Sequence, residues 1–353
     1  MKIIHCADLH LGSRLTSLPV GEIRDTRKNE LLKTFNRLID YAKNSDIKVI
    51  MFSGDVFDSD RPAKKDKTFF YNAIKANPDI TFLYLRGNHD IEESLEEHFD
   101  NLLLFNDYWT SYEIDDITFT GIELSPNNQT SLYSSLSLNK NVLNIVLMHG
   151  DINTKGKEYI DIKKLANKNI DYLALGHIHM YGESKIDSRG IAIYPGCLDG
   201  RGFDELGMKG FVVLDIKDNK INHTFSPFSS RLIEEKDIDI SAANNLYEAK
   251  TIVQSRLDGS ALSSLIKVVL TGKVSFDISG IEEDIASFIG DKYFYLKVVN
   301  ELKPIVKIDD YKNDLSLKGE FVRKMSLSAD YTDEEKEEIL SLGIKLLNGE
   351  DID

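Results

Sequence analysis

Seven polar residues at five places in the first half of the chain have the types and spacing of a metal-ligand set. They are Asp8 and His10 in Asp8-Leu9-His10, Asp55 after Gly54, Asn88 in Gly87-Asn88-His89-Asp90, His149 before Gly150, and His177 and His179 in Gly176-His177-Ile178-His179. Carboxylate, amide and imidazole donors without a thiolate suit Mn, Fe or Zn better than a soft metal. Seven ligands exceed what one tetrahedral ion takes. They match two ions that share a bridging carboxylate and keep positions open for water and a phosphate. The chemistry implied is phosphoester hydrolysis, with a metal-bound hydroxide, ionised near neutral pH, attacking phosphorus in line.

Each motif follows a short apolar run. Residues 2–7 lead to Asp8, 49–53 to Gly54-Asp55, 81–85 to Gly87-Asn88, 143–148 to His149, and 172–175 to Gly176-His177. These runs read as buried strands. Residues beyond the carboxyl ends of strands in α/β sheets converge on one rim, so motifs 170 residues apart in sequence can form one cluster. Asp55, on a central strand, is the natural bridge; Asp8, His10 and His179 then complete one ion site, and Asn88, His149 and His177 the other. With Asn88 as the ligand of its motif, the imidazole of His89 is left to face the scissile phosphate and serve as general acid, its reference pKa lying near about 6.5. Asp58 either orients an imidazole or caps the helix after Pro62, and Asp90 either orients an imidazole or belongs to a turn or a helix cap. His5 alternates with the outward residues of its strand and reads as structural; His98 and His223 sit in no motif.

This motif series resembles the calcineurin-like metallophosphoesterases. The resemblance implies a two-sheet β sandwich flanked by helices, an α/β (α+β) fold, with Mn ahead of Fe or Zn as the two divalent ions. Two further segments resemble the SbcD/YhaO-type DNA repair exonucleases: Gly54-Asp55-Val56-Phe57-Asp58-Ser59-Asp60-Arg61-Pro62, and the stretch 194–205 with Cys197, Asp199, Arg201 and Glu205, followed by 209–215. A protein phosphatase of the superfamily would carry Glu after Asn-His and Asp-Arg-Gly after its second motif, and Asp90 and Asp58 to Arg61 depart from that pattern. Residues 1–238 are therefore expected to form the nuclease domain. Strand-like runs at 263–270 and 293–299 around a helical 281–288 suggest a small α/β unit over 239–305, similar to the capping domain that helps such enzymes select DNA. An acidic segment at 234–245 approaches it, and 241–258 reads as a helix. Helices are expected at 315–325 and at 332–347, where Thr332 and Glu335 form a capping-box signature. This helical C-terminal segment, 306–353, either docks an SMC-like ATPase partner, as the resemblance implies, or packs on its parent domain. A homodimer through residues 65–105 is also implied.

Composition sets limits. The chain has 353 residues, 42% of them hydrophobic, enough for a substantial core. No apolar run approaches the roughly 20 residues that span a bilayer, and Asp8 and His10 occupy the place of a signal peptide, so no membrane association and a cytoplasmic location are expected. Cys6 and Cys197 offer no disulfide framework; Cys197 is a buried filler or lies near the site. The net charge of −15 opposes a DNA partner. Residues 1–239 hold 29 Lys and Arg against 37 Asp and Glu, and 240–353 hold 14 against 21, so neither part is basic. DNA would need a local basic patch: Arg61 with Lys64, Lys65 and Lys67, the lysines at 155, 157, 163, 164 and 168, or Arg201. Phosphodiesters or nucleotides of small size are the alternative substrates, for which acidity is no handicap.

Overall fold

The structure, a computed structural model, describes residues 1–59, 61–90 and 99–347. It divides into two compact units, Met1–Ile233 and Glu234–Asp353. His98 and residues 91–98 of the segment offered for dimerisation lie outside the described residues.

The first unit runs β1 (Lys2–Cys6), α1 (Glu22–Asn44), β2 (Val49–Ser53), α2 (Lys64–Lys75), β3 (Thr81–Leu85), β4 (Leu102–Leu104), β5 (Thr110–Ile114), β6 (Ile117–Gly121), β7 (Leu143–His149), α3 (Ile162–Leu165), β8 (Tyr172–Gly176), β9 (Gly182–Lys185), β10 (Ile191–Tyr194), β11 (Gly210–Lys217) and β12 (Lys220–Pro227). One sheet has the order β12-β11-β1-β2-β3-β4 and the other β5-β6-β7-β8-β10-β9. Strands β1 to β4 are mutually parallel, as are β6, β7, β8 and β10, with antiparallel strands completing the edges.

The runs of β2 and β8 are almost wholly apolar because both faces of each strand are covered. Ile3, Met51 and Leu83 meet Ile145, Leu147 and Ala174 between the sheets. On the outer face of the first sheet, Ile4, Phe52 and Phe82 pack against Phe35 and Leu38 of α1 and Phe70 and Ile74 of α2. Val146, Met148, Leu173 and Leu175 cover the opposite side with Leu132 and Leu165. This is the expected helix-flanked sandwich. The expectation that His5 is structural holds, but its direction is corrected. It shares a face with Ile3 and points between the sheets, where its ring nitrogens meet Tyr172 Oη at 2.8 Å and Ser53 Oγ at 3.0 Å. Burial pulls its pKa down to about 3, so it is neutral there.

The second unit contains β13 (Ile233–Asp239), which starts at the junction, then α4 (Leu246–Leu257), β14 (Leu265–Thr271), β15 (Lys273–Val274), α5 (Ile281–Ile289), β16 (Tyr295–Asn300), β17 (Lys303–Pro304), α6 (Leu317–Leu327) and α7 (Asp333–Leu347). Its main sheet is β13-β14-β16, with β14 and β16 parallel and joined through α5 as the strand–helix–strand pattern requires. Ala249, Val253 and Leu257 of α4 and Ile281, Ile285 and Ile289 of α5 repeat every four residues and fill the core. Helix α4 starts later than the expected 241 because Asn245 caps it, accepting from the Glu248 N–H at 2.9 Å. Residues 234–239, expected as an approach segment, form most of β13; Ile238 supplies the buried contact that a charge-rich stretch concealed. The capping box before α7 forms, with the Glu335 carboxylate accepting from Thr332 N at 2.7 Å and Thr332 Oγ1 accepting from Glu335 N at 3.3 Å. Gly343 of α7 lies against the Phe321 ring of α6.

Candidate metal centre

The five motifs leave the carboxyl ends of β1, β2 and β3 in one sheet and β7 and β8 in the other. The rim foreseen from one sheet is thus built from two that face each other. Backbone bonds draw the loops together. Asp8 N donates to Gly54 O and His10 N to Asp55 O, both at 3.0 Å. His177 N donates to both Asp8 carboxylate oxygens at 3.0 and 3.2 Å, and His89 N donates to Asp55 Oδ1 at 3.0 Å.

Close approach is what the glycines permit. A Cβ on Gly176 would lie 1.9 Å from Ser53 O, and one on Gly54 would lie 2.1 Å from His149 Nδ1. Asp8, His10, Asp55 and His177 take φ of 52°, 45°, 52° and 99°, the left-handed region. Such backbone costs about 1–3 kcal/mol per non-glycine residue and persists where surroundings over-determine it.

All seven predicted ligands and His89 come to this rim, and their atoms pose one electrostatic problem. His149 Nδ1 donates to Ser53 O at 2.8 Å, which turns the Nε2 lone pair toward Asn88 Oδ1 at 3.1 Å and Asp55 Oδ2 at 3.4 Å. His10 Nε2 and His179 Nε2 face each other at 3.1 Å, and Asp55 Oδ2 is 3.9 Å from the former. Behind them, His179 Nδ1 meets Glu205 Oε1 at 2.7 Å and His10 Nδ1 meets Asp58 Oδ1 at 3.1 Å. Acceptors converging on acceptors require a cation between them. Asp8, His10 and His179 form one group, and Asp8, Asp55 and His149 another, whose ligand atoms lie within 4.8 Å of one another. The donor set therefore fits two metal ions. The ring of His177 stands 5.3 Å, centroid to centroid, from that of His149. His89 is exposed at the mouth, 5.3 Å from the His10 ring.

The burial and mutual proximity of these groups shift their pKa values in opposite directions. Burial disfavours a charged His149, yet the neighbouring Asp55 carboxylate outweighs it and pushes the pKa up to about 9. Burial would raise Asp55, but His149 and then His10 hold it well below the usual carboxylate range. Burial raises Asp8 to about 6, opposed by His149 and His179, and lowers His10 to about 4, opposed by Asp58.

Three residues given only general readings from sequence acquire defined partners. Asp58 takes the orienting place beside His10 and does not cap α2, whose N-cap position is Ala63. Arg201, offered as a phosphate contact, pairs with Asp58 Oδ1 at 2.5 Å and Glu205 Oε1 at 2.6 Å. Glu205, given no role from sequence, is 2% exposed behind His179. Only its place in the 194–205 segment signalled it. A buried Arg27 on α1 anchors that segment through Asp199 at 2.9 Å and Gly200 O at 2.5 Å, and Thr34 donates to Asp199 at 2.8 Å. Asp90 orients no imidazole in this arrangement. Its Oδ2 accepts from Tyr84 Oη at 2.5 Å and Val56 N at 3.1 Å, tying the β3 loop to the Asp55 loop. Cys197 is both buried and close to the site, its Sγ 3.7 Å from His179 O. Beside His10 opens a cleft of about 730 Å³ lined by Ser13, Arg14, Thr16, Asp58, Arg61 and Arg201, among others.

A family model described as calcineurin-like phosphoesterase matches residues 1–181, a stretch that contains all five motifs. The DNA double-strand break repair protein Mre11 of Sulfolobus acidocaldarius is 24% identical over 263 residues, covering 68% of this chain and 67% of that protein. The protein of the same name from Sulfurisphaera tokodaii is 30% identical over 195 residues, 50% of this chain and 49% of that one. An uncharacterized metallophosphoesterase, YhaO, of Bacillus subtilis is 24% identical over 300 residues, 77% of this chain and 72% of that one.

Proposed function

The chain belongs to the calcineurin-like phosphoesterase family and is a hydrolase, and from that premise we propose that it is a two-metal DNA phosphodiesterase, an exonuclease or endonuclease serving as the catalytic subunit of a repair complex. The observation that carries this reading is the convergence of imidazole nitrogens with carboxylate and amide oxygens at the rim. Asp8, His10 and His179 would hold one divalent ion and Asn88, His149 and His177 the other, with Asp55 as the shared ligand; Mn is preferred over Fe or Zn. When bound there, such ions would supply Lewis acidity toward a phosphoryl oxygen and a lowered pKa for water.

The chain's own residues do the rest. Ser53 O fixes the His149 tautomer, and Glu205 and Asp58 stand behind His179 and His10. His89, on a loop held by the Asp55 carboxylate, delivers a proton to the leaving oxygen. Arg14 and Arg61 line the cleft beside His10 and offer positive charge to a phosphate backbone on an otherwise acidic body.

DNA is favoured by the names of the archaeal relatives, which are DNA double-strand break repair proteins. Residues 239–305 act as the capping domain that selects DNA, and 306–353 dock an SMC-like ATPase; Leu315, Leu317 and Leu327 there are 96%, 71% and 85% exposed. The functional unit is a homodimer working in the cytoplasm. No helix among the described residues is long and apolar enough to cross a membrane. The net charge of −15 favours a second reading, a phosphodiesterase or nucleotidase for small substrates. A Mn-dependent assay comparing single-stranded, hairpin and duplex DNA with bis-p-nitrophenyl phosphate separates the two. Cleavage of the ester with no attack on any DNA would sink the nuclease reading.

A further inference from the structure

The two halves of the proposed centre differ in what stands behind their imidazoles. On one side, both rings are backed by carboxylates: Glu205 Oε1 lies 2.7 Å from His179 Nδ1, and Asp58 Oδ1 lies 3.1 Å from His10 Nδ1. Arg201 joins these carboxylates, its guanidinium reaching Asp58 Oδ1 at 2.5 Å and Glu205 Oε1 at 2.6 and 2.8 Å, while its own N–H donates to Glu205 Oε2 at 2.6 Å. Two negative charges and one positive charge leave the bridge with a net charge of −1, and the cation between the carboxylates removes the repulsion that would otherwise part them. Lys209 Nζ donates to His179 O at 2.6 Å and pins the same residue from its backbone side. On the other side, His149 is backed by a neutral carbonyl, Ser53 O, and the His177 ring has no hydrogen-bond partner among the described residues.

A carboxylate behind an imidazole makes its far nitrogen a stronger donor to a metal than a carbonyl does, and it holds the ring in one tautomer and one orientation. A ring without a partner must be ordered when the ion arrives, which costs conformational entropy. From this asymmetry we infer that the Asp58–Arg201–Glu205 bridge is a positioning device that makes the Asp8–His10–His179 ion position the tighter of the two and the first to fill. Asp58, Arg201 and Glu205 touch neither ion nor substrate. They act through His10 and His179, and the second ion is the one whose occupancy follows the ambient metal concentration. The inference rests on the two-metal reading of the rim.

The bridge also explains the heavy anchoring of the 194–205 segment. Arg27, with no exposed surface, holds Asp199 and Gly200, and Ser230 N and Thr34 hold the other Asp199 oxygen at 3.0 and 2.8 Å. A loop that delivers Arg201 and Glu205 across 143 residues of sequence to Asp58 must be rigid if it is to orient two rings.

The test is Mn binding to the full chain, followed by isothermal titration calorimetry and by the loss of the free-Mn electron paramagnetic resonance signal. Wild type, Glu205→Gln and Asp58→Asn are compared, with far-UV circular dichroism to establish folding. Wild type is expected to take up Mn in two resolvable steps; in the variants the first step weakens about 10–100-fold and the second by less than about threefold, so the ratio of the two affinities falls. Asp58, which is 25% exposed, provides the decisive variant if Glu205→Gln does not fold. An affinity ratio unchanged in the folded variants, whether both steps weaken together or neither does, overturns the inference while leaving the metal centre standing. Two wild-type steps of indistinguishable affinity overturn it as well. A wild-type chain that binds no Mn removes the metal centre itself and this inference with it.

Discussion

The rim of the first unit and the core of the second follow opposite rules. In the second unit, positive φ among the described residues occurs only at Gly259, Gly272 and Gly280, Asn245 and Ser316 cap α4 and α6 with their side chains, and the core is an aliphatic stripe repeated every fourth residue. At the rim, non-glycine residues occupy left-handed backbone, and ionisable side chains are buried: Asp8 and His10 are 1% exposed, Asp55 and Glu205 2%. One region is arranged for stability, while the other spends stability on acceptors that only a cation reconciles. The pairing teaches that left-handed backbone combined with buried ionisable groups marks the chemistry, since left-handed residues alone also occur at Asp115 and Asn219 between neighbouring strands.

The contrast can be broken or sharpened by substitution. The largest effect is expected at the rim, where His89→Ala should lower kcat on DNA by about 10²–10⁴-fold with stability unchanged. On bis-p-nitrophenyl phosphate the loss should be smaller, because p-nitrophenolate leaves without a proton; kinetics on both substrates, with metal content measured alongside, decide this. Loss of both ions in that variant would make His89 a ligand and not the acid. In the second unit, Ile285→Ala empties a fully buried core position and should cost about 2–5 kcal/mol in a urea melt. Mn uptake by the folded protein should not change, and a parallel fall in uptake would end the division of labour. Next in size is the response of the rim to pH. A metal must displace the proton that His149 keeps up to about 9, so Mn affinity should fall about tenfold per unit as pH drops below that value. The slope steepens below about 6, where Asp8 also takes up a proton. Calorimetric titrations between pH 5 and 9 in buffers of different ionisation heat would count those protons. The smallest change is Asn245→Ala, which should destabilise α4 by about 1 kcal/mol, measurable by amide exchange, with no effect on turnover.

The same contrast governs what the sequence made legible. Asp8, His10, Asp55, Asn88, His149, His177 and His179 stood out because metal chemistry restricts residue types and strand ends restrict position. The α5 crossover and the α7 capping box were legible because they are local and periodic. Long-range pairing was not. Arg201 could not be matched to Asp58, 143 positions away, because an arginine's partner depends on where the chain returns, not on its neighbours. Glu205 offered no local signal beyond its segment, and β13 was hidden by charged residues alternating with the few that are buried. His5 was read as facing outward because alternation gives two faces without saying which one meets the second sheet.

Ligands drawn from β1, β2 and β3 on one side and β7 and β8 on the other mean that the proposed ions would tie the two sheets to each other as reversible cross-links. Separating the sheets would scatter the ligands, so folding and metal supply become one equilibrium. At a free concentration one hundred times the dissociation constant, one such ion would add about 2.7 kcal/mol to the stability of the sandwich. Its melting temperature would therefore rise with the free metal concentration and serve as a gauge of metal availability.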